Sequence, residues 1–208
     1  MKIDDILRAA PVIPVIVIDN IDHAVPLAEA LVRGGLPVLE VTLRTPAALE
    51  AMRLMARVKG AIVGAGTVLD AEQYSRVADA GAMFVVSPGF TVEVAAAAKA
   101  SHAPWLPGAV TASEVMRARA DGLRYLKFFP AEAAGGAPVL KSFASVFADV
   151  KFCPTGGVTL ESAPTYFAAG NVMCVGGSWL TPKDALAARD WPRIESLARA
   201  AATLRSAA

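Results

Sequence analysis

A single lysine interrupts the apolar stretch Leu123-Arg124-Tyr125-Leu126-Lys127-Phe128-Phe129-Pro130-Ala131-Glu132. Short, rich in aromatics and closed by a proline, this stretch reads as a buried strand. An ammonium taken out of water costs several kcal/mol unless it is paired or gives up its proton. Desolvation favours the neutral amine, a nucleophile able to form a Schiff base with a carbonyl. A lysine on an edge strand with its head in water is the commoner arrangement. Here Tyr125, Phe128 and Phe129 leave little polar face, which favours the chemical reading.

A second chemical stretch is Val38-Leu39-Glu40-Val41-Thr42-Leu43-Arg44-Thr45. Side chains alternate along a strand, so Glu40, Thr42 and Arg44 share one face and Leu39, Val41 and Leu43 the other. A carboxylate near a Schiff-base lysine can carry protons. Arg44 can grip a substrate carboxylate in a bidentate fork. The structural alternative is a Glu40–Arg44 ion pair with Lys127 joining to balance charge. Gly64-Ala-Gly-Thr-Val68 offers close backbone approach and the Thr67 hydroxyl, either for a substrate carboxylate or simply for tight packing. Ser87-Pro88-Gly89 is a turn that could line the same pocket. Cys153-Pro-Thr-Gly156-Gly157 and Val175-Gly176-Gly177-Ser178-Trp179 each expose backbone N–H groups of the kind that cradle phosphate oxygens.

The elements that must position these groups repeat. Apolar β-runs are predicted at residues 11–18, 36–43, 61–68, 83–87, 105–110, 123–129, 150–154 and 171–175, after a short amphipathic helix at 1–9. A helical segment follows each strand, and residues from 183 to the end are predicted helical. Eight such units argue for a parallel sheet covered on both faces, and in 208 residues for a closed (β/α)8 TIM barrel forming one domain over residues 1–208. An open doubly wound sheet would want a Gly-rich turn after its first strand, and Ile18-Asp19-Asn20-Ile21 has none. In such a barrel function sits at the C-terminal ends of the strands. The Glu40 face then points inward toward Lys127. The two glycine pairs follow strands seven and eight, where barrels commonly bind phosphate. Lys151 starts strand seven, on the opposite end, and reads as a solvated lysine.

Composition excludes several classes. Hydrophobic residues make up 55% and net charge is +1, so nothing argues for disorder, nucleic acid or a membrane surface. Lys2, Asp4, Asp5 and Arg8 leave no signal-peptide h-region, and no apolar run approaches a membrane span. A cytoplasmic enzyme is expected, with Cys153 and Cys174 as free buried thiols. The two histidines, His23 and His102, lie apart from any cluster with ligand spacing, so neither a metal nor another cofactor is expected. No Ser-His-Asp arrangement stands out.

Taken together, Glu40-Val-Thr-Leu-Arg-Thr45, Gly64-Ala-Gly-Thr67, Leu126-Lys-Phe-Phe-Pro-Ala-Glu132, Phe152-Cys-Pro-Thr-Gly-Gly157 and Gly176-Gly-Ser-Trp-Leu180 make the chain resemble a known family. It is similar, from about Pro11 to Pro182, to the 2-keto-3-deoxy-6-phosphogluconate (KDPG) aldolases, class I enzymes that often also cleave 4-hydroxy-2-oxoglutarate. The resemblance implies Schiff-base catalysis at Lys127 and proton transfer by Glu40. It implies that Arg44 and Thr67 hold the pyruvate carboxylate, that Pro88 lines that pocket, and that Gly156, Gly157, Gly176, Gly177 and Ser178 hold a phosphate. It implies a homotrimer acting on a phosphorylated 2-keto acid. The galactonate-type sister aldolase is the nearest rival. A phosphate-binding barrel isomerase or decarboxylase would not need the lysine. A non-catalytic binder would not need Lys127 with Glu40.

Overall fold

The computed structural model describes residues 1–204. Its elements run α1 (Ile3–Arg8), β1 (Val12–Ile16), a 3-10 turn (Ile21–His23), α2 (Ala24–Arg33), β2 (Val38–Thr42), α3 (Ala48–Met55), β3 (Ile62–Gly66), α4 (Ala71–Asp79), β4 (Val85–Val86), α5 (Val92–Ala100) and β5 (Trp105–Leu106). They continue with α6 (Ala112–Ala120), β6 (Tyr125–Phe128), α7 (Gly136–Val146), β7 (Lys151–Pro154), α8 (Ala163–Phe167), β8 (Val175–Gly177), α9 (Lys183–Ala187) and α10 (Trp191–Ala202).

Several helices start where a polar side chain can satisfy a free amide. Asp70 accepts from the Gln73 amide and Thr91 from the Val94 amide, and Thr111 and Glu114 form a reciprocal capping box. The predicted C-terminal helix is in fact two. Arg189 takes a left-handed φ of 53°, and Asp190 caps a fresh helix by accepting from the Arg193 amide. The last four residues of that prediction lie outside the described residues.

All strand pairings are parallel, as predicted, but they form two ladders. A curled six-stranded sheet has the order β5-β4-β3-β2-β1-β8, and β6 pairs with β7 separately. Between the ladders, among the described residues, lie only isolated parallel bridges: Gly108 to Lys127 on one side, Phe152 to Val172 and Thr155 to Gly176 on the other. Proline explains the thinning near β5, whose two residues sit between Pro104 and Pro107, neither of which has an N–H to give. The last strand begins later than predicted, at Val175 rather than Asn171. Its register against β1, Val12 to Val175 through Pro14 to Gly177, draws Gly176 and Gly177 into the strand.

Two apolar layers result. The larger lies between strands and helices and includes Leu39 and Val41, the face of β2 expected to meet them. The smaller fills the inner side of the curl: Ile13, Val38, Val86, Leu106, Cys153 and Cys174, plugged from below by Ile6 and Leu7 of α1. That inner layer keeps water from the lower half of the strands and leaves the polar residues to their upper ends. No helix among the described residues is long and apolar enough to cross a membrane.

Candidate active site

Alternation along β2 turns Glu40 to the inner side of the sheet, where it meets Lys127 of β6. Lys127 Nζ donates to Glu40 Oε1 at 3.1 Å, and the two side chains are only 7% and 5% exposed. The backbone of Lys127 is fixed from both sides. Its amide donates to the Pro107 carbonyl at 2.8 Å and its carbonyl accepts from the Ala109 amide at 2.9 Å, while β7 pairs Lys127 with Cys153. The ammonium also stands 5.3 Å from the centre of the Phe129 ring, a favourable cation–π distance. Glu40 in turn needs the bare backbone of Gly66 on β3, because any Cβ there would overlap its carboxylate.

Arg44 makes no ion pair with Glu40 among the described residues. Its exposed guanidinium turns instead to the next strand, where Nε donates to Thr67 Oγ1 at 3.3 Å. Thr67 itself has φ +58°. A β-branched residue in the left-handed region is a true outlier, and such strain clusters where a site demands it. Thr42, between Glu40 and Arg44 on that face, is committed elsewhere: its hydroxyl donates to the Ile16 carbonyl at 2.8 Å, tying β2 to β1. Pro88 follows β4 in a turn held by the Ser87 hydroxyl, which donates to the Gly89 carbonyl at 2.6 Å and accepts from Trp105 Nε1 at 2.9 Å. The Pro88 carbonyl packs directly on Gly108, the residue bridged to Lys127.

The two glycine pairs sit side by side, since Thr155 bridges to Gly176. They do different work. Gly156 and Gly157 hold φ +99° and +81°, which only glycine adopts freely, so they shape a loop. Gly176 is a strand residue that gives up its side chain for space, because a Cβ there would overlap the Thr155 hydroxyl. Ser178 is exposed just beyond.

Deeper in, Cys153 and Cys174 are free and buried. The Cys153 thiol beside it, together with burial, pushes the Cys174 thiol above the ordinary thiol range, so Cys174 is not a ready nucleophile. Among the described residues no cluster of His, Cys, Asp or Glu is placed to hold a metal. The site therefore presents one amine, one acid in contact with it, a guanidinium with a hydroxyl on one side, and glycine backbone on the other. That set can attack a carbonyl, move a proton and hold two anionic ends.

Sequence alone gives Gly66 a general close backbone approach and Phe129 an apolar flank for Lys127, but not their contacts with the Glu40 carboxylate and the Lys127 ammonium, and it gives Thr155 no role of its own. Phe129 could have been found from its i+2 spacing to Lys127. Gly66 and Thr155 owe their roles to neighbouring strands, which no local pattern shows.

A family model for KDPG and KHG aldolase matches residues 3–197. The 2-dehydro-3-deoxy-phosphogluconate aldolase of Zymomonas mobilis is 52% identical over 206 residues, covering 99% of this chain and 98% of that protein. The KHG/KDPG aldolase of Escherichia coli is 51% identical over 199 residues, covering 95% of this chain and 93% of that protein. The crystal structure of KDPG aldolase from Legionella pneumophila, with pyruvate captured at low pH as a covalent carbinolamine intermediate, aligns with a TM-score of 0.93 at 46% identity, covering 95% of this chain and 97% of that chain.

Proposed function

The chain belongs to the KDPG and KHG aldolase family, and we propose that Lys127 and Glu40 carry out its reaction. The enzyme is a class I aldolase, a carbon–carbon lyase. It cleaves 2-dehydro-3-deoxy-6-phospho-D-gluconate to pyruvate and D-glyceraldehyde 3-phosphate, and also 4-hydroxy-2-oxoglutarate to pyruvate and glyoxylate. The observation that carries the assignment is the 3.1 Å contact between Lys127 Nζ and Glu40 Oε1 in a nearly closed-off site. An amine must shed a proton before it attacks, and Glu40 is the acceptor within reach.

Lys127 adds to the C2 ketone to give a carbinolamine, the kind of adduct captured in the Legionella relative. Loss of water leaves an iminium ion. Glu40, directly or through one water, takes the proton of the C4 hydroxyl. The C3–C4 electron pair then flows into the iminium, releasing the aldehyde and leaving a neutral enamine. The enamine carbon takes a proton back from Glu40, and water hydrolyses the product iminium to pyruvate and free Lys127. One carboxylate can serve these steps in turn if the pyruvate end stays fixed. Arg44 and Thr67 grip its carboxylate, and Pro88 walls the pocket. Gly156, Gly157, Gly176, Gly177 and Ser178 receive the distal phosphate on backbone N–H groups and one hydroxyl.

We read the two ladders as one closed (β/α)8 barrel forming a single domain. The bridges at Gly108, Phe152 and Thr155 support this by joining β5 to β6 and β7 to β8. A homotrimer in the cytoplasm completes the proposal, and sedimentation of the purified protein tests the trimer. The galactonate-type reading has the same chemistry, and turnover of each purified stereoisomer separates the two.

The central test is reduction with borohydride in the presence of pyruvate, followed by peptide mass mapping. A reduced pyruvyl adduct on Lys127 is expected. Full cleavage activity with no adduct at Lys127 would reject the assignment.

A further inference from the structure

The stretch that carries Lys127 ends in Glu132, to which the reaction above gives no task. Glu132 is built into the loop after β7 by backbone and side chain together. Its amide donates to the Gly156 carbonyl at 3.0 Å, and the amide of Ala131 to the Thr155 carbonyl at 2.8 Å. Its side-chain methylenes lie against Gly157, where an added Cβ would meet Glu132 Cγ at 2.5 Å and Cβ at 2.7 Å. Its carboxylate reaches across to α8, where Oε1 accepts from the Tyr166 hydroxyl at 2.6 Å. Tyr166 is 1% exposed, so bulk water does not satisfy that hydroxyl. Burial first, and the Glu132 carboxylate second, push the phenol well above its usual range, which keeps it a donor.

A carboxylate beside an anion-binding loop is electrostatically unhelpful to a phosphate. Its presence calls for another role, and the contacts supply one: Glu132, itself exposed, is a strut that spans from the buried Tyr166 hydroxyl to Gly157. We propose that Glu132 and Tyr166 are positioning residues that hold the Gly156–Gly157 loop in its phosphate-receiving shape and so set affinity for the phosphorylated end of the substrate. They take no part in the chemistry at Lys127. The inference rests on the phosphate assignment made above. On this reading one continuous segment, Lys127 to Glu132, sets both the reacting amine and the grip on the far end of the substrate.

The test separates those two ends. Tyr166→Phe and Glu132→Leu raise KM for 2-dehydro-3-deoxy-6-phosphogluconate roughly tenfold, the loss expected for a hydrogen bond to a charged group, with kcat within about twofold. Glu132→Gln, whose amide oxygen can accept the same hydrogen bond, restores most of the affinity. Exchange of the pyruvate methyl protons for deuterium, which needs the Schiff base and enamine but no phosphate, stays within about twofold of the parent enzyme in all three variants. Equal losses in exchange and cleavage would mean a general structural role and overturn the proposal, as would an unchanged KM in both Tyr166→Phe and Glu132→Leu. Competition by inorganic phosphate, weakened by Ser178→Ala, tests the premise separately. Its absence in the parent enzyme would remove the phosphate site itself, and the proposal with it. Competition that Ser178→Ala weakens, with Tyr166→Phe and Glu132→Leu leaving KM unchanged, would remove only the strut.

Discussion

Two lysines on neighbouring strands meet opposite fates. In the pairing of β6 with β7, Tyr125 stands across from Lys151 and Lys127 across from Cys153, so the two lysines lie one strand apart and two residues out of step. Lys151, at the lower end, donates to the Gly170 carbonyl at 3.2 Å in a solvent-exposed contact. Lys127, at the upper end, is shut away with Glu40. The Lys151 ammonium stays mostly hydrated, so its position costs little and does little. Burying Lys127 and Glu40 costs several kcal/mol per ion, which their attraction offsets only in part, and apolar replacements of such pairs are often neutral or stabilising by about 1–4 kcal/mol. Stability is therefore a poor reason for the pair to exist. Chemistry is a better one, and the contrast between the two ends of the strands is where it can be broken.

The largest effect is expected at the buried amine. Lys127→Met should reduce cleavage and pyruvate proton exchange by on the order of 10⁴-fold or more, as loss of a covalent nucleophile does. Methionine keeps the volume of the stem. Lys127→Met and Lys127→Ala both leave the buried Glu40 carboxylate unpaired, and breaking one partner of such a pair costs roughly 3–5 kcal/mol; Lys127→Ala would in addition leave a cavity. Activity above that level in Lys127→Met, measured by coupled release of pyruvate, would move the nucleophile elsewhere. Next in size is Glu40→Gln, which keeps shape and removes the proton acceptor. Turnover should fall roughly 10²–10⁴-fold, while borohydride still traps pyruvate on Lys127. Trapping that slows along with turnover is what loss of the amine's proton acceptor predicts, whereas parental turnover in Glu40→Gln would assign the protons to another group.

Much of this contrast was visible in the sequence. Alternation along Val38–Thr42 put Glu40 opposite Leu39 and Val41, and the structure keeps that division. The lone lysine between Tyr125 and Phe128 marked a strand that spends energy on a charge. What escaped was set by neighbours far along the chain. The start of β8 depends on its register with Val12–Pro14, not on the apolar run at Asn171–Val175, so Gly176 and Gly177 were placed in a loop when they are strand. The break at Arg189–Asp190 hides inside a helical pattern, because an aspartate reads equally as a helix-surface residue and as a cap. Thr67 gave no local hint of its left-handed backbone, since threonine normally avoids it.

The upper end has a third point of attack that leaves both ionisable groups in place. Gly66→Ala sets a methyl group where the Glu40 carboxylate lies. Overpacking of this kind costs typically about 1–3 kcal/mol, and the melting temperature should fall accordingly. A shift of the carboxylate by about 1 Å should lower kcat/KM by up to roughly 10²-fold. If Gly66→Ala kept parental kcat/KM, the carboxylate would have more freedom than a proton carrier fixed at 3.1 Å from Lys127 Nζ allows.

The smallest effect is expected at the lower end, and it bears most directly on the contrast. Lys151→Ala removes one hydrogen bond to a backbone carbonyl and the packing of an aliphatic stem. Exposed contacts of this kind are worth about 0.5–1 kcal/mol, so unfolding in urea should shift only slightly and kcat/KM should stay within about twofold of the parent. The Gly170 carbonyl can turn to water in the variant, which is why no larger penalty is expected. A tenfold loss of cleavage at unchanged stability would show that the lower end of the strands reaches the chemistry. Lys127 would then owe its role to something other than which end of the strands it occupies.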